Sequence, residues 1–218
     1  MTPARILIPG LTLTALAGFV DAIGFAELGG FFVSFMSGNT TQLGYGTALE
    51  LWDMVILSAS LVALFFIGSV VGTLAAITGG SRWGSAAVTF FVLATLLGSI
   101  VMSLAGFGAN RAMLLLAAGA GAQNAILPST GAVRAGATFV TGTLFGAGQD
   151  LARALRGQAP PLRWLQHLSV WTALLSGALA GALAHMGLGP WALLIPVAIY
   201  VVLLALFVAR RPSSVIHR

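Results

Sequence analysis

Six apolar stretches, most of them near the twenty or so residues that a helix needs to cross a hydrocarbon core, constrain this chain more than any other feature. They run roughly Ile6–Ala26, Met54–Ile77, Ser85–Ala105, Ala112–Leu127, Leu165–His185 and Trp191–Ala209. The fourth is short unless it continues past Pro128. Two weaker segments lie between them, at about Phe31–Leu49 and Ala137–Leu155, both rich in glycine, serine and threonine. Charged residues make up 7% of the 218, against about 25% in a soluble domain, so the pattern specifies a bundle in a bilayer rather than a water-soluble core. The mean hydropathy of +1.01 agrees.

The charges present are informative by position. Ten arginines and no lysine give a formal charge of +5, and they stand singly or in small groups between apolar spans. That is the pattern of positive cytoplasmic loops, not the basic stripe that nucleic acid requires. With no cysteine, disulfides, thiol catalysis and cysteine metal sites are excluded. The N-terminus imitates a signal peptide, with Arg5, an apolar run from Ile6 and Ala15-Leu16-Ala17. It reads as a retained first span, because a related segment recurs mid-chain where no signal peptide works.

That recurrence is an internal repeat. Gly18-Phe19-Val20-Asp21-Ala22 aligns with Gly121-Ala122-Gln123-Asn124-Ala125, and Met36-Ser37-Gly38-Asn39-Thr40 with Val140-Thr141-Gly142-Thr143-Leu144. Gly68-Ser69-Val70-Val71-Gly72 then aligns with Gly177-Ala178-Leu179-Ala180-Gly181, the offsets being 103, 104 and 109. The expected fold is an all-α, polytopic membrane bundle forming one domain over 1–218. Its repeats cover about 6–107 and 111–209, with about six full spans and two broken or re-entrant segments. Arginine placement favours inverted halves with both termini in the cytoplasm. Arg5, Arg82, Arg134, Arg153, Arg156, Arg163, Arg210, Arg211 and Arg218 then lie inside and only Arg111 outside, nine against one. Eight spans give eight against two.

The first half, through Gly18-Phe19-Val20-Asp21-Ala22 and Met36-Ser37-Gly38-Asn39, resembles the YoaK-like family of bacterial multi-pass membrane proteins. Ser37 stands where that family more usually has threonine, another hydroxyl. The family is a domain of unknown function with about six spans. The resemblance implies a bacterial inner-membrane location and no established substrate or catalytic residue.

Asp21 is the sharpest candidate. An ionised carboxylate at mid-helix costs about 2.5–3.5 kcal/mol on insertion scales, so it is protonated, paired or wetted there. Fifteen residues beyond Ile6, or about 22 Å of helix, it is also within reach of the interface. Its repeat partner is the neutral Asn124, which suggests a central pair. Ser37-Gly38-Asn39-Thr40 and Thr141-Gly142-Thr143 read either as breaks where half-helices begin or as small residues that let helices pack. Glu27, before Gly29-Gly30, marks an exit to the outer surface.

The expected function is therefore a small-solute transporter or channel with its site between the two broken segments. Asp21 is its coupling group, with Asn124, Ser37, Asn39, Thr40, Gln123, Thr141 and Thr143 as neutral polar contacts. The alternative is a non-transporting scaffold or partner-binding subunit. Partners are the bilayer, an unidentified solute and a possible second copy of the chain. Neither nucleic acid nor cofactor is expected. No H-E-x-x-H, G-x-S-x-G or P-loop is present, so no enzyme is expected. His167 and His185 end one span about 27 Å apart if it is helical, which excludes a shared metal, and His217 is in the tail. Leu43-Gly44-Tyr45-Gly46 resembles a potassium filter only by coincidence, and Pro196 is a candidate kink in the last span.

Overall fold

The computed structural model describes residues 4–127 and 140–209. Pro128, Arg134, Arg210, Arg211, His217 and Arg218 lie outside the described residues. Most of those described are helical, with no strand among them. Three stretches, Leu7–Glu27, Trp52–Leu104 and Trp164–Ala209, are long and apolar enough to cross a membrane. The architecture is that of an integral membrane helical protein.

Helix α1 spans Ala4–Glu27, 24 residues or about 36 Å, enough for a hydrocarbon core of about 30 Å. Helix α2, Met36–Ala48, has 13 residues and reaches only about 20 Å. Helix α3 covers Trp52–Leu104 but is not straight, because Gly80 takes φ 57°, ψ −158°, a conformation essentially limited to glycine. Its arms, 52–79 and 81–104, fold back on each other so closely that a Cβ on Gly79 would lie 2.6 Å from the Gly84 nitrogen. Helix α4 is Ala109–Gln123, α5 Val140–Leu155 and α6 Trp164–Leu188. Gly189, at φ 56° and ψ −142°, then opens a short 3-10 helix to Leu193, followed by α7 at Leu194–Ala209. Pro196 is thus the third residue of α7, where its missing N–H breaks no intrahelical bond, and it is no mid-span kink.

Large apolar side chains such as Phe66, Ile77 and Phe90 point outward. The helices meet through small residues instead. Lipid removes the hydrophobic gain of burying leucine against leucine, so association depends on close packing. Helix α4 is nearly enclosed, with Met113, Leu116, Ala117 and Ala122 all buried. A Cβ on Gly177 would strike the Ala15 carbonyl, and one on Gly181 the Phe19 carbonyl. In the same way Gly68 lies against Ala118 and Gly72 against Ala122.

These contacts set the helix directions. Pairing of Ala15 with Gly177 and Phe19 with Gly181 makes α1 and α6 parallel. Pairing of Ala118 with Gly68 and Ala122 with Gly72 makes α4 parallel to the first arm of α3. Helices α1 and α4 run oppositely. Gln123, ending α4, donates to the Leu13 carbonyl at 2.7 Å, while Leu116 and Gly119 share a small void with Ala17 and Val20. It follows that α1 and the first arm of α3 are antiparallel although α2 lies between them. The 28–51 stretch therefore returns the chain to the side it left.

Valine at Gly68 or Gly177 forces backbones apart and is expected to cost at least about 1–3 kcal/mol. Thermal unfolding in detergent checks this. Gly187→Ala, where an added Cβ meets nothing within 4 Å, is expected to leave the midpoint unchanged.

Candidate functional site

The residues between α1 and α2 leave helical geometry inside an apolar protein, and their backbone polar groups need partners. Side chains from the two flanking motifs supply them. Asp21 Oδ1 accepts the Val33 N–H at 2.8 Å and the Ser34 N–H at 2.9 Å, and the Ser34 hydroxyl bonds to the same carboxylate. Asn39 brackets Phe32: its Oδ1 accepts the Phe32 N–H at 3.0 Å, and its Nδ2 donates to the Phe32 carbonyl at 2.6 Å. Gln42 Nε2 donates to the Gly30 carbonyl at 3.0 Å. Asp21 and Asn39, one from each motif, thus hold neighbouring residues of the loop, and α2 begins beside Asp21, about 9 Å of helix short of the end of α1.

Beside this clamp is a cavity of about 700 Å³ between α1, the loop before α2, α5 and α6. Asp21, Ser34, Thr141 and His185 are its polar lining, set among Phe25, Phe32, Phe35 and Trp171. The phenyl rings form a chain, Phe25 to Phe32 at 5.1 Å between centroids and Phe32 to Phe35 at 5.2 Å edge-on. At one end His185 Nε2 lies 3.4 Å from Glu27 Oε1, tying the last turns of α1 and α6 together.

The structure brings together only two of the expected contacts, Asp21 and Thr141. Asn124 lines a separate cavity of about 350 Å³ with Ser69 and Thr73, and its Nδ2 donates to the Ala120 carbonyl at 3.1 Å. Ser37 and Thr40 are exposed in the first turn of α2, and the Thr40 hydroxyl donates back to the Met36 carbonyl. Thr143 is buried and bonds to the Val140 carbonyl, while Asn39 and Gln123 are committed to Phe32 and Leu13. Leu43-Gly44-Tyr45-Gly46 is regular helix within α2.

Phe25, Phe32, Phe35, Trp171 and His185 escape a sequence reading as site residues, since four elements contribute to the cavity and none carries a motif for it. A second polar cluster also escapes it. Asp150, buried in the last turns of α5, lies 3.0 Å from Arg163 Nε, 3.4 Å from His167 Nε2 and 3.8 Å from Arg153. It pins the end of α5 to the start of α6. His167 and His185 thus face different carboxylates, and the described residues contain no group of three or more His, Asp or Glu placed to hold a metal.

Residues 10–206 match the family model described as protein of unknown function (DUF1275). The chain belongs to that family. It is also 33% identical over 195 residues to a UPF0700 transmembrane protein of Rhizobium meliloti (strain 1021), across 86% of this chain and 81% of that one. No solved structure matches.

Asp21→Ala leaves the Val33 and Ser34 N–H groups unpaired and is expected to cost at least about 1–3 kcal/mol. Asp21→Asn keeps an oxygen at the position that takes both bonds and is expected to cost less. Asn39→Ala is expected to resemble Asp21→Ala. Unfolding midpoints of the purified variants give the order.

Proposed function

We propose that the chain is a small-solute transporter or channel made of two inverted repeats, with its site in the cavity beside Asp21. The observation that carries the reading is a carboxylate in a cavity of about 700 Å³ where a short helix begins beside a helix end. A soluble ligand pocket has similar size, about 300–1,000 Å³. Short helices starting within the bundle are the device by which inverted-repeat transporters hold polar solutes among apolar spans.

Support for the repeat comes from geometry recurring at constant offsets. Gly18 lies against Leu174 and Ala178 as Gly121 lies against Phe65 and Ser69, offsets of 103 for the glycines and 109 for their partners. The contacts of Gly68 and Gly72 with α4 are those of Gly177 and Gly181 with α1, at the same two offsets. Gly80 and Gly189, again 109 apart, share one unusual backbone conformation. Even the Asp150 cluster has a counterpart, Gly46 packed on Met54, in which the ions are replaced by apolar contact. Each first helix packs on the third helix of the other repeat.

Antiparallel α1 and α4 favour inversion, and the return of 28–51 favours six crossings over eight. In that arrangement Arg82, Arg153, Arg156 and Arg163 share a cytoplasmic face with Arg5, while Arg111, Glu50 and Asp53 lie outside. The reading is that of a bacterial inner-membrane protein with both termini inside. No catalytic step is part of the proposal.

Flux in proteoliposomes tests it. A metabolite screen is expected to find a solute whose uptake Asp21→Asn reduces at least tenfold while the unfolding midpoint stays close to that of the parent. Full uptake in the Asn variant contradicts the coupling role. No uptake of any solute, with a partner protein co-purifying in fixed proportion, supports a scaffold instead.

A further inference from the structure

We infer that the cavity beside Asp21 takes an aromatic or otherwise lipophilic organic cation. The inference rests on the cavity being the solute site, and names the class of solute. Four aromatic residues, Phe25, Phe32, Phe35 and Trp171, line it around one carboxylate. Aromatic faces attract cations, most strongly where water is excluded, and tryptophan does so best.

Among the described residues Asp21 has no arginine or histidine at ion-pair distance, unlike Glu27, which faces His185, and Asp150, which faces Arg163. Its hydrogen bonds come from Val33 and Ser34, which are neutral donors. Among the described residues the carboxyl group of Asp21 therefore has no cationic side chain of its own, and a cation that enters favours its ionised form by pairing with it. An anion entering the cavity meets a carboxyl group and aromatic rings, neither of which attracts it. A small hydrophilic cation leaves the aromatic wall unused. A flat cation with apolar body satisfies both, and cavity walls of Leu174, Ala178 and Met186 accept its body.

The counterpart cavity sharpens the contrast. The positions corresponding to Asp21 and His185 are Asn124 and Ala76, and Ser69 and Thr73 replace Ala178 and Ala182. Carboxylate and aromatic lining occur together only on the Asp21 side among the two.

Equilibrium dialysis of radiolabelled methylphenylpyridinium against purified protein in detergent, with protein-free micelles subtracted, tests this. Biphenylcarboxylate, with the same two-ring frame and opposite charge, is the competitor. Saturable binding is expected, weakened at least tenfold in Asp21→Asn and about threefold or more in Trp171→Ala, with biphenylcarboxylate failing to compete. Phe66→Ala, on the outward surface, is expected to bind like the parent. Absent binding, equal competition by the anion, or undiminished binding in a folded Asp21→Asn overturns the inference. Proteoliposome uptake separates it from the transport reading. Binding without uptake keeps the cation site and refutes transport, whereas uptake of the anion without cation binding keeps transport and refutes the cation.

Discussion

The structure depends on how the peptide groups of residues 30–34 are satisfied away from a regular helix. A lipid-facing loop cannot leave backbone donors unpaired, at a cost of several kcal/mol for each. Here Asp21, Asn39 and Gln42 take five backbone groups between them. Because the clamp holds the loop against the flank of α1, α2 starts inside the bundle and not at its edge. The same carboxylate thereby ends up in the wall of a cavity, so the side chain that holds the loop also faces open space.

Glycine packing provides the frame that this loop needs. Where leucine gains nothing by leaving lipid for protein, helices hold together by the contact that short side chains allow. Gly18, Gly177 and Gly181 bring α1 and α6 to backbone contact, and Gly68, Gly72 and Gly121 do the same for α4 and the first arm of α3. The two parallel pairs are then set against each other in opposite directions, with Gln123 bonded across to α1. The cavity opens on the α1–α6 pair, and its far end is tied by His185 and Glu27.

Much of the helical layout was legible from apolar run lengths alone, because a bilayer fixes the length of a span. The predicted segments Ile6–Ala26, Leu165–His185 and Phe31–Leu49 fall on α1, α6 and α2 and its approach. The predicted segments Met54–Ile77 and Ser85–Ala105 fall on the two arms of α3, on either side of Gly80. The use of Asp21 was not. Its partners are backbone N–H groups, which every residue but proline carries, so no side-chain pattern announces them. Nor did the sequence separate Asp21 from Asn124, since two positions that align in sequence say nothing about which cavity each faces. Ser37 and Thr40 looked like solute contacts because polarity is rare in this chain. In the helix they bond or expose themselves locally, as hydroxyls do in a first turn. The aromatic wall was hidden for another reason: its rings come from α1, the loop and α6, and only the fold collects them.

The central claim is that residues 28–51 leave α1, turn inward and come back to the same side. Cysteines placed singly at Gly29 and Asp53, both exposed, in a chain that has no cysteine of its own make this measurable. A membrane-impermeant thiol reagent is applied to right-side-out and inside-out vesicles. The account predicts that both positions react from one face, opposite to the face that labels a cysteine at Arg82. Reaction of Gly29 and Asp53 from opposite faces would mean that the stretch crosses the membrane, and would contradict the account.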